Sequence, residues 1–310
     1  NTQTLFRFQE LSLRKKWIPC EKFFSSVDEF TVQSFLERLS IERMESKVEQ
    51  IQNCLHESEN DWENVMFQTI ASYLGANINK VPFLLLAKSL PVKIWAKHQS
   101  DPLQIEALLF GQSGFLEEEF TDEYPKQLRK EFQYLKRLYN LKPLQKHIWK
   151  FLRLRPSNFP TIRLAQLAAI MSKEVKLFSE IIEAESANTI CGLFDAEVTS
   201  YWKQHYVFDK FSKRVNSHLG TSAKNILLIN AICPVLFAYG RYKDNEADCN
   251  KALKLLLESK AEKNTIISGW KNLGLISQNA SQSQALLQLK NEYCNYFRCT
   301  DCAIGAKFLH

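Results

Sequence analysis

The chain has 310 residues, of which 45% are hydrophobic, and a formal net charge of +6 that by itself indicates no particular partner. Its length suits one large domain or two, and its nine glycines and nine prolines favour helices. The eight cysteines are scattered rather than densely paired, which excludes a small disulfide-stabilised secreted domain and favours a reducing cytoplasm.

The apolar periodicity predicts helices almost throughout, and no alternating pattern is long enough to build a sheet. The predicted helices cover residues 31–58, 61–74, 81–89, 103–110, 125–140, 144–154, 160–171, 176–187, 195–207, 221–239, 247–263, 265–273 and 281–293, with a last turn over 300–309. At 195–207 the alternative is that YWKQHYVF (201–208) forms an extended edge. We therefore expect an all-α protein, an irregular bundle or helical stack of about ten to thirteen helices. It forms either a single domain over 1–310 or two lobes, 1–120 and 121–310.

The first residues, NTQTLFRFQE, lack the regions of a signal peptide, and the chain does not begin with Met, so we expect a fragment or a processed product. The longest apolar run, Ile226 to Tyr239, is shorter than the roughly 20 residues that a bilayer requires. Pro234 interrupts it, which predicts a kinked core helix and no membrane span. Gly-rich phosphate loops and the common hydrolase motifs are missing from the sequence.

Charge is unevenly distributed along the chain. Residues 126–176 contain thirteen Lys and Arg against two Glu, whereas residues 101–123 contain seven acids and no Lys or Arg. The two blocks could neutralise each other or simply face solvent. Alternatively, the basic block forms a face for phosphate, as in nucleic acid.

The helix predicted over 126–140 separates its charges from its apolar residues. Its apolar side holds Leu128, Phe132, Leu135, Leu138 and Tyr139, and its basic side holds Lys126, Arg129, Lys130, Lys136 and Arg137. The next predicted helix, 144–154, continues the basic side with Lys146, Lys150 and Arg153. Pro156 should end that helix and leave Arg155 in the connection to the following one.

The helix that follows is apolar on nearly all sides, which predicts burial, yet it carries Arg163 and Gln166. We expect Asn158 to cap this helix and Pro160 to occupy its first turn. A buried guanidinium needs a carboxylate, a set of carbonyls or a bound anion as its partner. We therefore predict an anion pocket formed by Arg155, Asn158, Arg163 and Gln166.

Near the C-terminus, Cys294, Cys299 and Cys302 form a C-x4-C-x2-C group that could bind a structural zinc ion or an iron–sulfur cluster. His310, Cys20 and Cys233 are the candidates for a fourth ligand. The alternative is that these thiols are buried as small hydrophobic side chains.

Four long strings resemble the bacterial family known as domain of unknown function 2851. They are IEALLFGQSGFL (105–116), WKFLRLRPSNFPTIRLAQLA (149–168), NAICPVLFAYG (230–240) and YCNYFRCTDCAIG (293–305). The resemblance implies that members are longer and begin with a β-rich, restriction-endonuclease-like region. This chain would then be the helical remainder, which holds nucleic acid while the missing region cuts it.

Three functions remain open. The first is a non-catalytic accessory domain that binds nucleic acid or another polyanion through the basic residues at 126–176. The second is a protein scaffold for the missing N-terminal region, with structural arginines paired to acids such as Glu106 or Glu131; it predicts an exposed apolar patch. The third is an enzyme that holds a phosphorylated or carboxylated small molecule in the anion pocket.

Overall fold

Helices make up nearly all of the regular structure in this computed structural model, which describes residues 16–174 and 176–309. The α-helices are α1 Glu29–Glu57, α2 Trp62–Leu74, α3 Ala76–Ser89, α4 Val92–Trp95, α5 Pro102–Gln112, α6 Glu123–Tyr139, α7 Pro160–Lys173, α8 Leu177–Glu183, α9 Ala187–Leu193, α10 Thr221–Leu227, α11 Cys233–Lys243, α12 Glu246–Glu258, α13 Thr265–Asn272, α14 Ala280–Gln288 and α15 Ala303–Leu309. The antiparallel strands β1 His205–Val207 and β2 Lys210–Phe211 form one small hairpin. The predicted all-α class is confirmed.

Local sequence determines several helix boundaries. The Asp61 carboxylate accepts hydrogen bonds from the amides of Glu63 and Asn64 at 2.9 and 3.2 Å and so caps α2. Gly75 follows α2, and the chain turns directly into α3 there. A Cβ atom on Gly75 would lie only 2.4 Å from the carbonyl oxygen of Asn79, so this tight turn requires glycine.

Two predicted helices are wrong, and both fall where tertiary contacts replace helical ones. Residues 144–154 contain only a 3-10 turn, Lys146–Ile148, because the Leu144 amide bonds instead to the carbonyl of Gln112 at 2.8 Å. Residues 195–207 contain a 3-10 turn and strand β1, which agrees with the extended alternative for this segment rather than with a helix. The predicted cap Asn158 is also wrong, since Phe159 occupies that position without a side-chain hydrogen bond, whereas Pro160 does begin α7.

The long apolar helix runs without interruption from Thr221 to Lys243, through α10, a π-helical segment Leu228–Ile232 and α11. The π segment immediately precedes Pro234, because a proline ring displaces the preceding turn from α geometry. With 23 residues and a peak mean hydropathy of 1.4, this helix is long and apolar enough to cross a membrane. However, 61% of its most apolar window is buried within the protein, as is typical of a core helix.

The described residues form two compact units. One unit consists of the residues up to Gln52 and those from Leu236 onward, and the other is Asn53–Val235. The chain passes between them within α1 and within α11. The expected lobes 1–120 and 121–310 stay a prediction.

The discontinuous unit has an aromatic core around Trp270. The Trp270 ring contacts Trp17 and Phe24 with centroid distances of 5.0 and 5.6 Å, and its indole N–H donates to the carbonyl of Leu286 at 3.0 Å. From α1, Arg43 donates to the side chain of Gln284 at 3.0 Å, which adds a polar contact with α14. The C-terminal segment thus completes a core that the N-terminal segment begins.

The continuous unit is organised around α5, which is buried from Ile105 to Gln112 and packs against α6 and α7. Helix α7 is buried on nearly every side, as predicted, with only Arg163 and Ala169 half-buried between Pro160 and Met171. Helix α6 packs one side against α5 and presents its opposite side to solvent.

Candidate nucleic-acid interface

Helix α6 separates its charges from its core residues as predicted. Leu128, Phe132 and Leu135 are buried, while Lys130, Lys136 and Arg137 are exposed. Two apolar positions depart from the prediction: Leu138 is exposed, and Tyr139 is half-buried with its hydroxyl 2.8 Å from His98 Nε2. The apolar side of α6 is therefore narrower than its sequence indicates.

The acidic block neutralises part of the basic one. Arg129 pairs with Glu119 at 2.8 Å, Lys126 pairs with Glu123 at 3.4 Å, and Lys146 pairs with Glu118. Because Glu118 and Glu119 are neighbours, the exposed side of α6 and the chain near Lys146 lie side by side. Mutual neutralisation of the two blocks is thus partial.

The remaining cations of this surface form what we call the basic face. Its members are exposed and have no ion pair within residues 16–174 and 176–309; they are Lys130, Lys136, Arg137, Lys142, Lys150, Arg153 and Arg155. Four of them lie in the α6–α7 loop, residues 140–159. All of its members lie in the block 126–176 through which binding is predicted, whereas the predicted residue Lys146 is tied to Glu118.

The predicted anion pocket is only partly assembled. Arg163 donates to Asn158 Oδ1 at 2.7 Å and to Gln166 Oε1 at 2.8 Å, and Gln166 in turn donates to the carbonyl of Ser217 at 2.9 Å. The side chain of Arg155 is exposed and makes no hydrogen bond to the part of the chain that the structure describes. Three of the four predicted residues thus come together.

Of the three kinds of partner expected for Arg163, the described residues supply carbonyl oxygens, those of the Asn158 and Gln166 side chains, and a bound anion stays a prediction. Both of its side-chain partners are neutral amides, and burial lowers the pKa of the guanidinium. Amide oxygens satisfy the N–H groups of an arginine without neutralising its charge. The site therefore keeps an unpaired positive charge behind the α6–α7 loop.

A buried carboxyl group that the sequence pattern did not identify as a site lies at Glu106 on α5. Its oxygens accept hydrogen bonds from the Trp202 indole at 2.7 Å, the Thr199 hydroxyl at 2.8 Å and the Tyr124 hydroxyl at 3.0 Å. Burial raises the pKa of Glu106 to about 7. The sequence signal that could have identified this buried carboxyl group is a charged residue within the apolar string IEALLF.

Among the described residues, Glu106 and Glu131 pair with no arginine, whereas Arg129 pairs with a different acid, Glu119. Glu131 instead accepts a hydrogen bond from the side chain of Gln104 at 2.8 Å. The hydrogen bonds of Glu106 join α5, the start of α6 and the segment before β1, which indicates a structural role.

A second polar cluster fixes the hairpin at the start of α6. The Asp209 carboxylate accepts the amides of Thr121 and Asp122 at 3.0 and 2.9 Å. His205 stacks on Tyr201 with a centroid distance of 3.9 Å, and its Nε2 lies 3.5 Å from the Asp122 carboxylate. These contacts hold the N-terminal end of α6 in position.

The C-terminal cysteines converge with Cys20. Cys20, Cys299 and Cys302 are buried in the same core cluster, and Cys294 packs against it half-buried. Burial, together with the neighbouring thiols, raises the pKa of Cys20 to about 12 and that of Cys299 to about 11. The Cys302 sulfur accepts the Gly305 amide at 3.4 Å.

No group of three or more His, Cys, Asp and Glu side chains is placed to hold a metal ion in the described parts of the chain. A metal at Cys294, Cys299 and Cys302 therefore stays a prediction. Of the proposed fourth ligands, Cys20 adjoins the group, Cys233 belongs to the other unit, and His310 lies outside the described residues.

The fold and its surface define an all-α protein with a basic face on its continuous unit. The chain belongs to the family described as "Protein of unknown function (DUF2851)", whose profile matches residues 1–265. The matched residues include α5, α6, the α6–α7 loop and α7, and they end before the cysteine group. No curated protein and no solved structure matches the chain.

Proposed function

We propose that this chain is an accessory domain that binds nucleic acid through the basic face. The supporting observation is the set of seven exposed cations without ion-pair partners among the described residues, on α6 and the adjoining loop. A polyanion would release counterions from such a surface, and binding would then weaken steeply as salt increases.

The arrangement of the face favours an extended ligand over a small one. Lys130 and Arg137 are two helical turns apart on the same side of α6, and four further exposed cations of the face follow in the α6–α7 loop. Phosphates repeat along a nucleic acid, so one strand can contact several of these side chains at once. A small phosphorylated molecule would engage only one or two.

Fluorescence anisotropy with duplex DNA, single-stranded DNA and RNA over a salt series tests this proposal. The variant Lys130→Gln/Arg137→Gln should weaken binding by at least about tenfold and lower the log–log salt slope by about two. Lys254→Gln/Lys271→Gln, a charge-matched pair of exposed lysines in the other unit, should leave both quantities unchanged. Salt-insensitive binding, or none at low salt, would overturn the proposal.

A second candidate function, protein docking, is favoured by an exposed apolar stripe on α3. Val81 and Leu85, one turn apart on the same side of the helix, are 64% and 44% exposed, and the exposed Ile78 precedes them across the non-helical residue Asn79. We propose that this stripe contacts the upstream region that the family resemblance implies. The two parts, expressed as separate chains, should then co-purify at high salt; Val81→Asp should separate them and Ile276→Asp should not.

A further inference from the structure

The tip of the α6–α7 loop presents an apolar side chain to solvent. Leu152 is 87% exposed, more than any other large apolar side chain among the described residues. It lies in a turn in which the Leu154 amide bonds to the carbonyl of Phe151 at 3.3 Å. Arg153 completes this turn with a φ of 62°, a left-handed conformation that is unfavourable for a side chain other than glycine.

The residues on either side hold this tip firmly. The Trp149 indole donates to the carbonyl of Ser113 at 2.8 Å, and the buried Asn79 side chain bonds both the amide and the carbonyl of Lys150, at 2.9 and 2.8 Å. The Phe151 ring packs against Phe159 with a centroid distance of 5.1 Å. Leu152 is therefore displayed on an ordered turn, which reduces the entropy that a binding partner must remove.

Three exposed cations of the basic face, Lys150, Arg153 and Arg155, lie within three residues of this leucine along the chain. An apolar side chain among cations suits a ligand that has a charged backbone and an apolar interior within reach. Duplex nucleic acid meets both conditions, because proteins insert apolar side chains between base steps while cations contact the phosphates. A membrane surface is the competing ligand, but stable anchoring there needs more apolar burial than one leucine provides.

We infer that Leu152 inserts between stacked base pairs of a bound duplex while Lys150, Arg153 and Arg155 contact the flanking phosphates. The inference rests on the proposed function, and it specifies the ligand as double-stranded nucleic acid with an easily unstacked step. Pyrimidine–purine steps such as TA open most readily and should be the preferred positions.

A duplex carrying 2-aminopurine at a central TA step provides the test, because unstacking of this base raises its fluorescence. Wild-type protein should raise the fluorescence at saturation. Leu152→Ala should abolish most of the rise and weaken binding by roughly three- to tenfold, with an unchanged salt slope. Leu257→Ala, which removes an exposed leucine in the other unit, should behave like the wild type.

The outcomes separate this inference from the proposed function. Salt-dependent duplex binding without a fluorescence rise would overturn the insertion of Leu152 and leave the proposed function intact. Failure to bind any nucleic acid would overturn both. Leucine-dependent binding to vesicles of phosphatidylcholine and phosphatidylglycerol, without unstacking of the duplex, would assign the tip to a membrane surface instead.

Discussion

Glu106 is a carboxyl group that folding removes from water, so its protonation is linked to folding. Its pKa is about 7 in the folded chain against a usual value of 4.5, because burial disfavours the charged form. The folded state therefore holds the proton more tightly than the unfolded state does. The resulting stabilisation is complete below about pH 4.5 and is lost as the pH rises through about 7.

We expect Glu106→Gln to remove this part of the pH dependence of stability. In the wild type, the free energy of unfolding should fall by up to about 3 kcal/mol over this pH range because of Glu106, whereas an amide does not titrate. Urea unfolding of both proteins across the range measures the difference. Glu131→Gln should keep the wild-type dependence, and parallel curves for wild type and Glu106→Gln would contradict the assignment.

Arg163 shows how far residue type alone determined the site. The apolar pattern of α7 correctly predicted burial around this arginine. The polar residues Asn158 and Gln166, which are close to it in the sequence, were correctly predicted as its neighbours. The kind of partner was not predictable, because amides and carboxylates both satisfy guanidinium N–H groups. The carboxyl site at Glu106 was missed because its donors lie far away in the sequence.

At the scale of elements, the close approach of α5 and α6 depends on Gly111. A Cβ atom there would lie 2.0 Å from the Phe132 ring, which belongs to the buried side of α6. Gly111→Ala should therefore destabilise the protein by about 1–3 kcal/mol, the usual cost of overfilling a packed core. It should also displace α6, and with it the basic face.

Gly192→Ala is the matched control within the same unit. No heavy atom lies within 4 Å of the Cβ that it adds, and Gly192 belongs to helix α9. We expect a neutral effect or a gain of up to about 1 kcal/mol, from the better helix propensity of alanine. Urea unfolding compares the two variants; equal stabilities would show that α5 and α6 have room to adjust.

The elements that the sequence predicted well are those with one strong local signal, such as the Asp61 cap of α2 and the amphipathic period of α6. The predicted helix at 144–154 is wrong because its polar groups bond to residues that are remote in the sequence. The Leu144 amide bonds to Gln112, and the Lys150 carbonyl bonds to Asn79. The Trp149 indole likewise bonds to Ser113. Periodicity cannot reveal such contacts, since it records only neighbours along the chain.

At the scale of the whole molecule, the reactivity of four thiols measures whether the core of the discontinuous unit is folded. Cys20, Cys294, Cys299 and Cys302 should react slowly with a maleimide in the native protein, because burial raises their pKa values and thiolates are the reactive form. Mass spectrometry of peptides from pulse-labelled protein measures this, with the half-buried Cys191 of the other unit for comparison.

The same labelling tests the structural-metal prediction. Equal rates with and without a zinc chelator would count against a metal bound at these cysteines. Faster labelling of the four cysteines after chelation would instead support a bound metal. Faster labelling of Cys299 than of Cys191 in untreated protein would contradict the burial argument.

The division of one unit between the two ends of the chain imposes an order on events at the ribosome. About 180 residues separate Gln52 from Leu236, and at about 5–20 residues per second their synthesis takes roughly 10–40 s. During this interval the middle of the nascent polypeptide can fold, while the apolar side of α1 stays uncovered until α13 and α14 have been synthesised. We therefore expect chaperones to bind the nascent chain longest at α1.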